Sequence, residues 1–273
     1  MKVLELFAGT RSIGKAFEAR GHQVFSVEWD KDFENIDLYE DISKITAQDI
    51  LDKFGKPDVI WASPDCTSYS VAAISRHRRR EANGNLTPIT DYAKFCDETN
   101  AHVVELIKEL TPKYWFIENP RGGLRKMNFM QGLPRYTVTY CKYGETRMKP
   151  TDIWTNHPMP MFKPPCKNGD TCHVPAPRGS RTGTQGLKDA KERAIIPKLL
   201  CEHIVDICEM RTCSKCGKPM IDGFCILDGE EYYCSEECLY SKYSEQEYSE
   251  MYESDQAYWT NWYDEYEDLT NVE

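Results

Sequence analysis

No stretch of this 273-residue chain is apolar for the ~20 positions that a bilayer-crossing helix requires. A signal-peptide core is also missing. Met1-Lys2-Val3-Leu4-Glu5-Leu6-Phe7 is interrupted by an acid and runs into a glycine turn, so no membrane association and a cytoplasmic location are expected. There is no phosphate-binding glycine cluster, which disfavours a dinucleotide and leaves room for a nucleoside without a pyrophosphate. No internal repeat is visible, which excludes a solenoid. Basic residues almost vanish from Asp228 onward, where fifteen acids, Asp228 included, face Lys242 alone. The preceding residues hold 33 basic and 29 acidic side chains, so the net charge of −10 conceals a mildly basic body compatible with a nucleic-acid partner.

Cysteine, by contrast, is plentiful at twelve, and in a cytosolic chain metal ligation and catalysis explain it better than disulfides. Val3–Phe7 reads as a strand, Ser12–Arg20 as a helix and Gln23–Glu28 as a second strand. Asp58–Ala62 and Tyr114–Glu118 are further apolar strands, with helical spacing from Asp91 to Leu110 between them. The alternation predicts an α/β fold with a doubly wound, mostly parallel sheet, whose ligands bind beyond the carboxyl ends of the strands. Residues 150–186 read as loops, and Leu187–Cys208 as a helix or a helix pair interrupted at Pro197. The expected division is a catalytic domain over 1–210, a small C-terminal module over 211–241, and an acidic aromatic tail over 242–273.

Unusual residues cluster at the predicted strand ends. Phe7-Ala8-Gly9 lets backbone approach a ligand closely, and Glu28 can accept both hydroxyls of a ribose. Asp41 is either an acceptor for an exocyclic amine or the cap of a helix starting near Ser43. Cys66, in Ser63-Pro64-Asp65-Cys66-Thr67-Ser68-Tyr69-Ser70, sits at a strand-to-loop junction as a nucleophile would. Glu118-Asn119 delivers an acid beside an amide at the end of the neighbouring strand pattern. The run Ser75-Arg76-His77-Arg78-Arg79-Arg80 fits a mobile basic loop contacting phosphates.

These motifs, in this order, resemble the cytosine-C5 DNA methyltransferase family over residues 1–155, with a fainter echo over 193–204, and the look is that of bacteriophage-encoded members. Tyr143-Gly144 followed by Arg147 and Lys149 is similar to a later basic motif of that family. The resemblance implies S-adenosylmethionine as cofactor, held by Phe7, Ala8, Gly9, Glu28, Asp41 and Pro64. It implies DNA as partner, with Cys66 adding to C6 of a flipped-out cytosine, Glu118 holding the N3–N4 edge, and Arg147 on the base or its phosphate. Ser70, Arg76, Arg78, Arg79 and Lys149 would contact the nucleic acid, in a bacterial or phage-infected host cytoplasm. Arg11-Ser12 replaces the family's glycine pair, Asp65 a proline and Pro120 a valine. Residues 150–186 are a short remnant where family members place a target-recognition region. An RNA substrate such as transfer RNA, or a non-catalytic nucleic-acid-binding role, are the alternatives.

Cys213-x-x-Cys216 and Cys234-x-x-x-Cys238 have the spacing of a four-thiolate structural zinc site in a treble-clef or zinc-ribbon finger. Cys166, Cys172 and His173 form a second possible metal set, to be completed by Cys141 or His157, or else a plain loop.

Overall fold

Apolar runs that lie far apart in the chain become neighbouring strands in the computed structural model, which describes residues 1–175, 187, 189–266 and 269. Two units are present: one comprises Met1–His157 and Lys163–Glu202, the other Pro158–Phe162 and His203–Glu273. The first contains β1 (Lys2–Leu6), α1 (Ser12–Ala19), β2 (Gln23–Glu28), β3 (Leu38–Tyr39), α2 (Ala47–Lys53) and β4 (Val59–Ala62). It continues through α3 (Ile74–His77), β5 (Arg78–Arg80), β6 (Leu86–Pro88), α4 (Asp91–Leu110), β7 (Tyr114–Pro120), β8 (Arg135–Thr139), β9 (Pro150–Thr155) and α5 (Ala190–Ala194) into α6 (Lys198–Glu209). Among the described residues no helix is long and apolar enough to cross a membrane.

The main sheet has the order β3-β2-β1-β4-β7-β9-β8, parallel through β7 and antiparallel at β9 and β8. This is the mostly parallel α/β sheet expected. Val59–Ala62 is buried at every position, as a central parallel strand must be. The long helix α4 starts where the Thr90 hydroxyl accepts from the Ala93 N–H and ends at Thr111 in a left-handed conformation. Its Val103, Leu106, Ile107 and Leu110 join the core formed by Leu4, Leu6, Ile60, Ala62 and Ile117. Because Ile60 pairs with Trp115 and Ala62 with Ile117, β4 and β7 end side by side.

The expected loop over 150–186 begins instead as a strand. Pro150 stands at the first position of β9, where no ladder N–H is demanded of it. The alternation was masked by polar residues that are buried yet paired. Asp152 accepts both Arg125 Nε (2.8 Å) and a second guanidinium nitrogen, and Thr137 Oγ1 donates to it at 2.8 Å.

The second unit contains β10 (Asp222–Ile226), β11 (Glu231–Tyr233), α7 (Glu236–Leu239), α8 (Glu245–Glu253) and β12 (Ala257–Asn261). Its antiparallel sheet runs β11-β10-β12 around Met220, Phe224, Ile226, Tyr233 and Leu239. Gly223 has φ +150°, and a Cβ there would lie 2.6 Å from the Tyr233 carbonyl oxygen. The stretch read as a tail is folded as far as described. Ser244 and Glu247 form a capping box for α8, β12 pairs with β10, and Trp259 meets Phe224 edge to face at 4.7 Å. β12 thus extends the sheet of the second unit, so 211–241 and the described residues beyond it form one unit rather than module and tail.

Asp152→Ala would strand the Arg125 guanidinium, so we expect a loss of about 3–5 kcal/mol in denaturant unfolding, with Asp152→Asn milder.

Candidate active site

The parallel strands deliver their side chains to one edge. After β4, the Pro64 carbonyl accepts from Asn119 Nδ2 at 2.8 Å, which ties the Cys66 loop to the end of β7. Trp61 Nε1 donates to Ser63 Oγ at 2.7 Å, and the backbone of Ser70 closes on the Cys66 carbonyl at 2.8 Å. Tyr69 is buried, donating its hydroxyl to Asp97 (2.7 Å) and accepting from Asn100 (3.0 Å). The Tyr69 carbonyl receives Gly123 N–H at 2.7 Å, and a Cβ at Gly122 would lie 2.5 Å from that oxygen. Only glycine fits so close an approach.

Three ionisable groups meet there. Glu118 is buried and accepts from the Tyr140 hydroxyl at 3.1 Å. Burial pushes its carboxyl above the usual range, against the pull of Lys149, Tyr140 and Ser63. Cys66 is half-buried. Burial, then Asp65 and Glu118, pushes its thiol up to about 11, opposed by Lys149. Lys149 is buried, donates to the Arg193 carbonyl at 2.9 Å and lies 4.4 Å from the centre of the Tyr140 ring. Burial lowers its own pKa, and Glu118 and Cys66 counter that. The sequence reading puts Lys149 on nucleic acid; the structure puts it beside Glu118 and Cys66, because β9 begins at the following residue and carries it to the sheet edge.

At the neighbouring strand ends, Phe7 (φ 55°) and Gly9 (φ 48°) turn the chain sharply after β1. Glu28 accepts Gly9 N–H on one oxygen (3.0 Å) and the N–H groups of Trp29 and Asp30 on the other (2.9 and 3.1 Å). The Trp29 side chain beside it is 68% exposed. Asp41 caps the 3-10 turn Ile42–Lys44 by accepting from Ser43 N and Oγ at 3.0 and 2.8 Å, so the capping alternative is realised. Ile196 N–H donates to Ser12 Oγ at 3.4 Å, which brings the segment around Ile196 to the start of α1, after the Phe7–Gly9 turn.

Arg11, in place of a glycine, adopts φ 57° and is buried with Glu5 3.9 Å away, while Glu18 holds its other end at 2.5 Å. Burial raises the Glu5 carboxyl from 4.5 to about 7, against the Gly14 N–H and Arg11. Below about pH 4.5 Glu5 is protonated whether the chain is folded or not. Above that only the unfolded chain ionises, until about pH 7. Stability should therefore fall by up to about 3 kcal/mol across this window and then level off. Glu5→Gln should flatten that slope in urea titrations at stepped pH.

The basic run is not a uniform loop. It forms α3 and the β5–β6 hairpin. Arg76, Arg79 and Arg80 are exposed, and Ser70 is half-buried. Arg78 corrects its reading as a nucleic-acid contact. It is 3% exposed, its guanidinium bonds the Ser68 carbonyl and Asp97 at 2.8 to 2.9 Å, and it stacks 4.2 Å from the Tyr69 ring. Along β5, Arg79 falls on the face opposite Arg78, and Arg80, at the end of the strand, is exposed. Arg147 is ion-paired with Glu145 at 2.8 Å. Tyr140, Asp97 and Trp29 escaped sequence reading; only the position of Trp29 directly after Glu28 carried a signal.

Two cysteine sets converge. In the second unit Cys213, Cys216, Cys234 and Cys238 place their sulfurs within 4.8 Å of one another. Burial would raise the Cys213 thiol, but the N–H groups of Cys216, Cys234 and Lys215 aimed at the sulfur outweigh it and hold it near 6. In the first unit Cys166, Cys172 and His173 are joined by Cys141, within the same 4.8 Å limit. His157 packs on the Tyr114 ring at 4.3 Å instead.

Residues 1–133 match the family model described as C-5 cytosine-specific DNA methylase. A frog virus 3 (isolate Goorha) protein named "Probable DNA (cytosine-5)-methyltransferase" is 30% identical over 232 residues, spanning 76% of this chain and 100% of that protein. Among solved structures, the Entamoeba histolytica methyltransferase EhMeth matches with a TM-score of 0.43 and 13% identity, over 57% of this chain and 52% of the other. The S. pombe Dnmt2 methyltransferase matches at 0.39 and 14%, over 57% and 48%. The chain thus spans about half the length of these two structures.

Proposed function

The chain belongs to the cytosine-C5 DNA methyltransferase family, and from that premise we propose that it methylates C5 of cytosine in DNA through a covalent bond between Cys66 and C6 of a flipped-out base. The observation that carries this reading is the meeting of Cys66, Glu118 and Lys149 at the ends of adjacent strands.

S-adenosylmethionine, the cofactor implied by the family, supplies an electrophilic methyl group. The residues fit it: Glu28 offers a carboxylate to ribose hydroxyls, Trp29 an exposed indole face to a purine, and Asp41, whose Oδ1 caps the turn, would offer its Oδ2 to an exocyclic amine. Phe7, Ala8, Gly9 and Pro64 supply backbone close to it.

C5 of cytosine is a poor nucleophile until C6 is attacked. As the Cys66 sulfur bonds to C6, the thiol proton passes to solvent, and Glu118 in its protonated form gives its proton to N3. Burial favours that protonated carboxyl, and once Glu118 is neutral it no longer opposes the thiolate. Lys149 then remains as the cation favouring sulfur ionisation. C5 takes the methyl group, loses its proton to solvent, and expels the Cys66 thiolate as N3 returns its proton to Glu118. A base stacked in a duplex exposes no C6 face, so it must be flipped out. Arg76, Arg79 and Arg80 would meet the phosphates, with Ser70 and Arg147 nearer the base. In the second unit Cys213, Cys216, Cys234 and Cys238 would hold a structural zinc ion.

Purified protein with radiolabelled cofactor and unmethylated DNA should place label at cytosine C5. Cys66→Ala should lower the rate at least about 10⁴-fold, and Glu118→Gln by about 10²–10⁴-fold. Label on transfer RNA but not on DNA would overturn the DNA reading. Arg79→Ala and Arg80→Ala should each weaken DNA binding and reduce its salt slope by about 1 for each phosphate left unneutralised, at unchanged stability. Arg78→Ala should instead destabilise the fold, leaving Asp97 unpaired.

A further inference from the structure

We propose a metal site in the catalytic unit: Cys141, Cys166, Cys172 and His173 bind one zinc ion that clamps the loop around residues 163–174 to the turn preceding β9. A tetrahedral zinc ion with sulfur at about 2.3 Å and nitrogen at about 2.0–2.1 Å requires ligand separations of about 3.8 Å between sulfurs and about 3.5 Å from sulfur to nitrogen. Here Cys172 Sγ lies 3.6 Å from Cys141 Sγ, and His173 Nδ1 lies 3.7 and 3.8 Å from the sulfurs of Cys166 and Cys172. Cys141 and Cys166 are 3.1 Å apart, closer than that edge but well beyond the ~2.05 Å of a disulfide. The four-cysteine set of the second unit has comparable spacings, 3.6 Å for Cys216–Cys234 and 3.8 Å for Cys234–Cys238.

The chain is shaped to bring these ligands together. Asp170 accepts from Lys167 N–H at 2.7 Å and Gly169 takes φ +99°, reversing the loop so that Cys172 returns beside Cys166. Cys166 N–H donates to Thr139 Oγ1 at 2.9 Å, and Val174 N–H to the Thr146 carbonyl at 2.8 Å. Apart from Lys163 N–H donating to the Tyr143 hydroxyl at 2.9 Å, few contacts among the described residues secure this loop. It contains no helix or strand, Cys166 is its buried residue, and Val174 is 71% exposed. Ordering backbone costs about 1–2 kcal/mol per residue, and without apolar burial a cross-link has to offset it. Metal ligation supplies that term in folds with too little core. Cys141 belongs to the turn Tyr140–Tyr143, whose first residue donates to Glu118, so the clamp ends one residue from the catalytic acid's partner.

Zinc content of the full chain, measured by native mass spectrometry and by metal analysis, tests this. Wild type should hold two zinc ions, and the double variant Cys213→Ser/Cys216→Ser should retain one. Cys172→Ser/His173→Ala should also retain one, and the combined variant none. His173→Cys should restore the second ion as a four-thiolate site, which separates lost ligation from lost folding. If disabling the second-unit cysteines removes all bound zinc, the site is refuted. A metal-free chain lighter by two hydrogens, with Cys141 and Cys166 in one disulfide-linked peptide, overturns it equally. One ion in wild type that survives loss of Cys213 and Cys216 sinks the zinc reading of the second unit and leaves this one standing.

Discussion

The pairing of β4 with β7 is the constraint on which the site depends. The two strands meet in register with Ala62 opposite Ile117, and both are followed at once by polar residues that would be costly to bury without partners. Asn119 joins the strand ends by donating to the Pro64 carbonyl. That single bond sets the path of the loop carrying Cys66, and Tyr69 then pins its far side into the core through Asp97 and Asn100. The Cys66 thiol, on a loop, thus gains the positional precision of a buried strand. The same crowding explains the electrostatics: a thiol, a carboxyl and an ammonium share one poorly hydrated corner, where each shifts the others.

Much of the parallel part of the sheet was legible in the sequence because buried parallel strands are unbroken apolar runs. The helix over 91–110 was equally legible because α4 carries a long periodic stripe and a threonine cap. The antiparallel edge was not. In β9, Thr151, Asp152 and Thr155 are buried polar residues, and the partners of Asp152, Arg125 and Thr137, are distant in sequence. Tyr248 likewise packs on the buried Phe224 only once the second unit folds, so the acidic composition around it suggested a tail.

The candidate site divides along similar lines. Cys66, Glu118, Glu28 and the Phe7–Gly9 turn sit at strand ends, where chemistry-bearing residue types stand out. Tyr140 joins the site through tertiary contact alone, with no local pattern to mark it, while Lys149 stood out through its basic motif but its place beside Glu118 follows from tertiary contact. The three consecutive arginines make the opposite point. Residue type was informative, but whether each faces solvent or core depends on the hairpin pairing of Arg78 with Pro88 and Arg80 with Leu86.

That alternation restricts how this region can change in length. Sidedness along a strand has a period of two, so adding or deleting one residue between Cys66 and Arg78 would present His77 or Arg79 to Asp97 and turn the buried arginine outward. The connection is therefore a measured spacer, tolerant of substitution at its exposed positions but not of a change in residue number. The bend joining Arg80 to Leu86 has no such phase to keep, and insertions there would lengthen the hairpin tip without disturbing the anchor.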